Sequence, residues 1–233
     1  MTQSSSNGIS VSAHGLRKQF EGGLVRALDG LDLEISPGER VAITGPTGCG
    51  KSTLLSLLAL LERPDGGELL LGGEPASSLR PPERWRADHL GIVFQFHHLL
   101  PHLTAAENVM LPLIGTAARR AEITDRARHM LTAVGLEHRA GFLATTLSGG
   151  ERQLVAVARA LVRAPALVLA DEPTGSVDSR TGDRILDLLL SGSLTKGATI
   201  VIVSHEQRVA AAADRTVSML DGRLAPPSAA SAE

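Results

Sequence analysis

The sequence has 233 residues, enough for one good core with a smaller attached lobe, and its composition is ordinary for a globular protein. Its 23 Lys and Arg nearly balance 25 Asp and Glu, a net charge of −2 with no block of like charge, so nothing in it calls for nucleic acid or anionic lipid. The longest apolar run, Leu54 to Leu61, is interrupted by Ser56 and falls well short of the roughly 18 to 20 residues that span a bilayer, which excludes a membrane-crossing helix.

Met1 to Ile9 is polar and Ser-rich, without the basic start and apolar stretch of a secretory signal, and predicts a cytoplasmic location. The single cysteine, Cys49, has no disulfide partner, which fits a reducing compartment. Residues 1–8 and 225–233 are too poor in apolar side chains to join a core and are expected to be disordered tails around one domain spanning 9–224. Leu31, Leu33 and Ile35 alternate with Asp32 and Glu34, the period of a half-buried strand, and an antiparallel β-lobe is expected there. Arg40 to Thr44, Leu167 to Ala170 and Thr199 to Ser204 are short apolar runs bounded by Gly, Pro or polar residues, suited to a parallel sheet buried on both faces. Lys51 to Leu61 is rich in Leu and predicts a buried helix, while Asp178 caps an amphipathic stretch that runs to Leu190. From about Leu79 to Thr146 the pattern changes to helices joined by loops, with Thr104 and Glu107 spaced as a capping box and Gly135 as a helix stop. An inserted helical lobe is expected over 79–146, and the alternation elsewhere reads as α/β.

Gly45-Pro46-Thr47-Gly48-Cys49-Gly50-Lys51-Ser52 matches G-x-x-x-x-G-K-[ST], preceded by strand residues Val41-Ala42-Ile43 and followed by a helix. Glycines let successive backbone N–H groups turn toward one point, and the helix N-terminus adds partial positive charge, so such a loop cradles a polyphosphate. Lys51 would supply a point charge to the β- and γ-phosphates, Ser52 a hydroxyl to Mg²⁺ and Thr53 another to the α-phosphate; ATP and Mg²⁺ are the expected ligands. The strand Leu167-Val168-Leu169-Ala170 runs into Asp171-Glu172-Pro173, and in open α/β sheets ligands bind beyond the carboxyl ends of strands. Asp171 is therefore expected to hold Mg²⁺, directly or through water. Glu172, expected to point the other way along a strand-like backbone, is the candidate base for the attacking water. Alone, two acids after a strand are more often a solvated cap; the phosphate loop is what gives these two chemistry.

Leu147-Ser148-Gly149-Gly150-Glu151 precedes a helix whose apolar positions Leu154, Val157, Ala158, Leu161 and Val162 form one stripe. Ser148 and Glu151 have capping-box spacing. Two Gly in a first helical turn cost roughly 0.8 to 1 kcal/mol each against Ala, which points to close approach of a phosphate to the backbone. A helix from Gly149 to about Arg163 is roughly 22 Å long and is expected to hold this turn and the acidic pair at opposite ends. Ser148 and Gly150 would then meet the nucleotide of another copy, in a two-fold dimer that traps two ATP.

Together these motifs resemble the nucleotide-binding subunits of ABC transporters, over essentially the whole chain from Ile9 to Leu224. The resemblance implies a P-loop NTPase cassette with a RecA-like parallel-sheet core, the antiparallel β-lobe and the inserted helical lobe. It implies that Gln95 touches Mg²⁺ or water and links the ATP site to the helical lobe, that His205 meets the γ-phosphate, that Asp178 crosses the dimer interface, and that Phe20 stacks on adenine. Gln95 to Pro101 and Thr104 to Val109 resemble the branch serving lipoprotein release, macrolide export and cell division, the LolD, MacB and FtsE types. That branch implies ATP hydrolysis driving a separate FtsX- or MacB-like membrane permease, with export of a lipoprotein- or macrolide-type substrate, or FtsE-like mechanotransmission in cell-wall remodelling as the alternative. The chain would lie on the inner face of the membrane through its permease, and the apolar segment around Phe96, Leu99 and Leu100 is a candidate docking surface. Leu154, Ser176 and Glu206 depart from residues common in the family without touching the chemistry. Coiled-coil chromosome ATPases would need long heptads between the phosphate loop and the Ser148 turn, and translation-factor ATPases a second cassette; neither is present.

Overall fold

Two β-sheets of opposite character organise residues 7–225, the part of the chain described by the computed structural model. In chain order the first half forms β1 (Val11–Phe20), β2 (Val25–Ile35), β3 (Arg40–Thr44), α1 (Lys51–Leu58), β4 (Gly66–Leu71), β5 (Glu74–Pro75), α2 (Pro82–His89), β6 (Leu90–Val93) and α3 (Ala105–Met110). The second half forms α4 (Arg120–Ala133), α5 (Gly149–Leu161), β7 (Leu167–Asp171), α6 (Ser179–Leu190), β8 (Thr199–Val203), α7 (Gln207–Ala212), β9 (Arg215–Leu220) and β10 (Arg223–Leu224). Of the tails expected at 1–8 and 225–233, residues 1–6 and 226–233 lie outside the described residues.

The first sheet is antiparallel, in the order β2-β1-β4-β5, and it is the β-lobe expected from the alternation in β2, where Leu31, Leu33 and Ile35 are buried and Asp32 and Glu34 exposed. The second has the order β10-β9-β3-β8-β7-β6, with every neighbouring pair parallel except β9 and β10. Its strands are apolar throughout because both faces are covered. Val41, Ile43, Leu167, Leu169, Val201 and Val203 pack with α1 and the β-lobe, whereas Ala42, Val168, Ala170, Ile200 and Ile202 pack with the helices on the far side.

Three expectations shift. The stretch 79–146 is not helices alone: β6 lies within it and pairs with β7 as an edge of the core sheet. Four residues following α2 without a loop carry too short an alternation to register as a strand. Helix α1 stops at Leu58 rather than Leu61, because the chain turns through a left-handed backbone at Leu60 (φ 54°) and leaves Leu61 half exposed. Helix α5 ends at Leu161, two residues before the Arg163 expected, ahead of a left-handed Ala164.

Candidate functional site

The phosphate loop joins the carboxyl end of β3 to the start of α1, and two of its glycines are required by close backbone approach. A Cβ on Gly45 would lie 2.2 Å from the Met219 carbonyl oxygen, and one on Gly50 (φ 104°) would lie 2.2 Å from that of Ala27. The loop curls around Lys51, whose buried ammonium donates to the carbonyls of Gly45 (2.8 Å) and Pro46 (2.9 Å) and lies 3.8 Å from Cys49 Sγ. Ser52 and Asp171, at the end of β7, line the same cleft. Burial raises the Asp171 pKa above the ordinary carboxylate value; the nearby Ser52 hydroxyl opposes this, the Glu172 charge adds to it and the Lys51 charge again opposes it.

Glu172 departs from the expected strand-like geometry. Its backbone is left-handed, φ 43°, and its N–H donates to the Val203 carbonyl at 2.9 Å. The turn swings its side chain toward β8, where Oε2 accepts from the Ser204 hydroxyl at 3.1 Å and Oε1 lies 2.9 Å from His205 Nδ1. The Glu172 side chain is only 14% exposed against 69% for His205. The hydrogen bond to Glu172, and then its charge, raise the His205 pKa above the usual imidazole value.

Phe20, Thr47, Gly48, Gly50, Lys51, Ser52, Thr53, Gln95, Asp171, Glu172 and His205 line one cleft of about 420 Å³, within the ~300–1,000 Å³ usual for small-ligand sites. Phe20 ends β1 and is partly exposed, with the Lys18 ammonium 5.3 Å from its ring centroid. Val25, Arg26 and Ala27 of β2 share the wall beside it and were not legible as site residues, since nothing in their pattern marks them as such. Among the described residues no group of three or more His, Cys, Asp or Glu could hold a metal ion. The cleft instead offers the Ser52 hydroxyl, the Asp171 carboxylate and the Gln95 amide, a sparse set of hard oxygen donors. That set fits Mg²⁺, which completes its shell with water and phosphate oxygens.

Ser148, Gly149, Gly150, Glu151 and Asp178 do not line this cleft. They meet one another on a second surface. Ser148 and Glu151 form the capping box of α5, and Asp178 caps α6 by accepting from the Thr181 N–H at 3.1 Å and from its hydroxyl at 2.7 Å. Thr181 in turn crowds Gly150, where a Cβ would sit 3.2 Å from its methyl, so this glycine already has a packing reason. Gly149 has none as strong, its nearest contact being the Ser176 carbonyl oxygen at 3.8 Å.

The expected separation along the length of α5 is not what keeps these two groups apart. Gln153, one turn into α5, donates to the carbonyls of Pro173 (2.9 Å) and Phe94 (3.3 Å), just past the carboxyl ends of β7 and β6. The helix runs away from that edge and β7 brings the chain back, as in any strand–helix–strand crossover. The signature turn, Ser148 to Glu151 at the start of α5, and the acidic pair therefore share the carboxyl-end side of the sheet and are offset across it. Gln153, His97 and Arg159 escaped the sequence reading. Arg159 donates to the carbonyls of His97 and His98, each at 2.6 Å, and His97 Nε2 is buried without a hydrogen-bond partner.

A family model described as ABC transporter matches residues 28–175. The lipoprotein-releasing system ATP-binding protein LolD 1 of Caulobacter vibrioides is 47% identical over 220 residues, 92% of this chain and 94% of that protein. The dimeric ATP-binding cassette MJ0796, in a post-hydrolysis state with ADP and Pi, superposes with a TM-score of 0.86 at 38% identity, covering 93% of this chain and 97% of that one. CbiO1 from Clostridium perfringens, part of the cbiONQ transporter complex, follows at 0.82 and 29% identity, covering 93% and 86%. A phosphate loop facing an acidic turn in one cleft, on a fold that these cassettes share throughout, places the chain in the ABC transporter family as an ATP-binding, ATP-hydrolysing subunit.

Proposed function

We propose that this ATPase works as one half of a nucleotide-sandwich dimer and drives a separate membrane permease of the FtsX/MacB-like type in lipoprotein-release transport. The single observation that carries the dimer is the division of the site residues. Phosphate loop, acidic turn, Gln95 and His205 line one cleft, while the Ser148 to Glu151 turn and Asp178 form a different surface that makes no part of it. The dimeric state of MJ0796 supports the same arrangement, and the extent of identity to LolD 1 supports the transport branch.

Within each cleft the phosphate loop and Lys51 hold the triphosphate, Thr53 reaches the α-phosphate and Phe20 offers its ring to the adenine. Ser52, Asp171 and Gln95 would hold Mg²⁺, which when bound neutralises charge on the phosphate oxygens. Glu172 takes a proton from the attacking water, and His205 orients that carboxylate through Nδ1 and faces the γ-phosphate. Ser148, Gly149, Gly150 and Glu151 of the second copy close over the phosphates at a helix N-terminus, with Asp178 at the interface. Among the described residues no helix is long and apolar enough to cross a membrane, and the chain is held at the inner face through its permease. The single domain is assigned to 9–224.

Phe96 (69% exposed) and Leu100 form the apolar surface offered to the permease, while Leu99 is partly buried against the core. Glu172→Gln protein incubated with ATP is expected to run as a dimer in sizing experiments and to pull down the permease from membranes. Phe96→Ser/Leu100→Ser on that background keeps the dimer and loses the permease. A chain that stays monomeric both alone and with its permease overturns the sandwich; retention of the permease by the double variant overturns this docking surface.

A further inference from the structure

Glu151 puts a carboxylate in the first turn of α5. A helix N-terminus favours a negative side chain, so α5 alone accepts it readily. A second anion arriving at the same turn meets repulsion from it, and a polyphosphate is the anion proposed to arrive. The structure supplies a counter-charge from outside the turn. Arg139, which follows α4 by six residues, donates from Nε to Glu151 Oε1 at 2.9 Å. Glu151 Oε2 accepts the Ser148 N–H at 2.8 Å, so both carboxylate oxygens are engaged. On its other side the Arg139 guanidinium lies 4.8 Å from the Phe142 ring centroid, which fixes its orientation. With side chains 36% and 21% exposed the pair is shielded from salt more than a surface pair would be. Arg152, the other cation of the turn, donates to the Leu147 carbonyl at 2.8 Å and makes no bond to Glu151.

We propose that Arg139 is a positioning residue for the signature turn, holding Glu151 against Ser148 and cancelling its charge so that the N-terminus of α5 accepts the polyphosphate of a second copy. The proposal rests on the reading that Ser148 to Glu151 faces the partner's nucleotide. A purely structural role for Arg139, as a brace between the end of α4 and the start of α5, would not be restored by removing the charge of residue 151, because the brace itself stays lost.

The test uses the full chain with Glu172→Gln as parent, so that ATP is not consumed. Two quantities are read: the ATP concentration giving half-maximal dimer in sedimentation velocity, and the affinity of the monomer for a fluorescent ATP analogue. Adding Arg139→Ala is expected to raise the ATP needed for dimerisation about tenfold while analogue binding by the monomer stays with the parent. Adding Glu151→Gln to that variant keeps an amide oxygen for the Ser148 N–H, removes the charge, and is expected to restore dimerisation to within about twofold. Arg139→Lys, which keeps the charge and alters the fork, is expected to stay within about threefold of the parent. Dimerisation at the parent's ATP concentration by the Arg139→Ala protein, or failure of Glu151→Gln to restore it, overturns the proposal. Gly149→Glu distinguishes the two readings, since a Cβ there meets nothing nearer than the Ser176 carbonyl oxygen at 3.8 Å and the variant adds a negative charge to the turn. If that variant dimerises like the parent, the facing of Ser148 and nucleotide is itself wrong. If it does not, and Glu151→Gln still rescues nothing, only the role of Arg139 falls.

Discussion

Glu172 occupies the one position between β7 and α6 where a non-glycine residue is held in a left-handed backbone, φ 43°. Such a conformation costs of order 1 kcal/mol or more and persists only where the surroundings over-determine it. Here the N–H is bound to Val203, and the carboxylate to Ser204 and His205, so β8 and the turn after it fix both ends of the residue. Strain and two polar partners converge on the proposed base. Glu172→Gln preserves the shape and removes the basicity, and is expected to lower kcat by about 10²- to 10⁴-fold with ATP affinity retained, checked by phosphate release and nucleotide titration. The same substitution reads out through His205. Glu172 stabilises the imidazolium and so raises the pKa; without that charge the proton leaves at lower pH. An NMR titration of the His205 ring should therefore shift to lower pH in the Glu172→Gln protein. An unmoved titration would break the pairing. In the unsubstituted protein, whatever stability the pair contributes is present at low pH and is lost as pH rises through the raised His205 value.

At the scale of elements, α5 is the spine that connects both halves of the proposed chemistry. Its first turn carries Ser148 and Glu151. Its second carries Gln153, fully buried, whose amide N–H₂ bridges the carbonyl of Phe94, one residue before Gln95, to that of Pro173, one residue after Glu172. Its last turns carry Arg159, which clamps the His97 and His98 carbonyls; burial away from any carboxylate lowers the Arg159 pKa from its usual value. Gln153→Leu takes the side-chain donor from the Pro173 and Phe94 carbonyls, though it also removes Oε1, which has no partner of its own. A net loss of about 1–2 kcal/mol in urea denaturation is expected, together with a lower kcat, because the Gln95 segment and the acidic turn are no longer held to one helix. Wild-type kcat in a destabilised Gln153→Leu protein would make the residue a packing element only. This spine is also where sequence reasoning stops. The phosphate loop, the Asp178 cap, the Thr104 capping box and the apolar strands were legible because each is a local pattern with a local cause. Gln153 and Arg159 are polar residues of an amphipathic helix whose sequence pattern does not set them apart, and their partners are backbone carbonyls some 20 and 60 positions distant, a relation that no periodicity encodes. The length of α5 was close to right, but the conclusion drawn from it was not, since the direction of a helix relative to the following strand is a property of the fold.

For the whole molecule, the core sheet is a shared wall between two apolar clusters, one holding the β-lobe and α1, the other holding α3 to α7. Strands β3, β7 and β8 each contribute buried side chains to both, so neither side can lose its packing without exposing the sheet, and a single cooperative unfolding transition is expected. The closing stitch of that wall is polar. Asp214, one residue before β9, accepts from the Arg40 N–H and from Nε, both at 2.9 Å, at the first residue of β3, and Arg40 Nη1 donates to the last carbonyl of α6, Leu190. Three elements distant in sequence thus meet at one ion pair. The Arg40 hydrogen bond, acting against some burial, holds the Asp214 pKa below the ordinary carboxylate value, as do its backbone bond and charge. A carboxylate depressed in the folded state contributes stability that is present above its unfolded pKa and is lost as pH falls through the lower folded value. With both side chains more than a third exposed, solvent screening limits the contribution, and Asp214→Asn is expected to cost only about 1 kcal/mol at neutral pH. In paired urea melts the difference between wild type and Asp214→Asn should be constant above the unfolded aspartate value and shrink as the solution is acidified. A difference that stayed constant into strong acid would mean that the backbone hydrogen bond, not the charge, fastens β9 to β3.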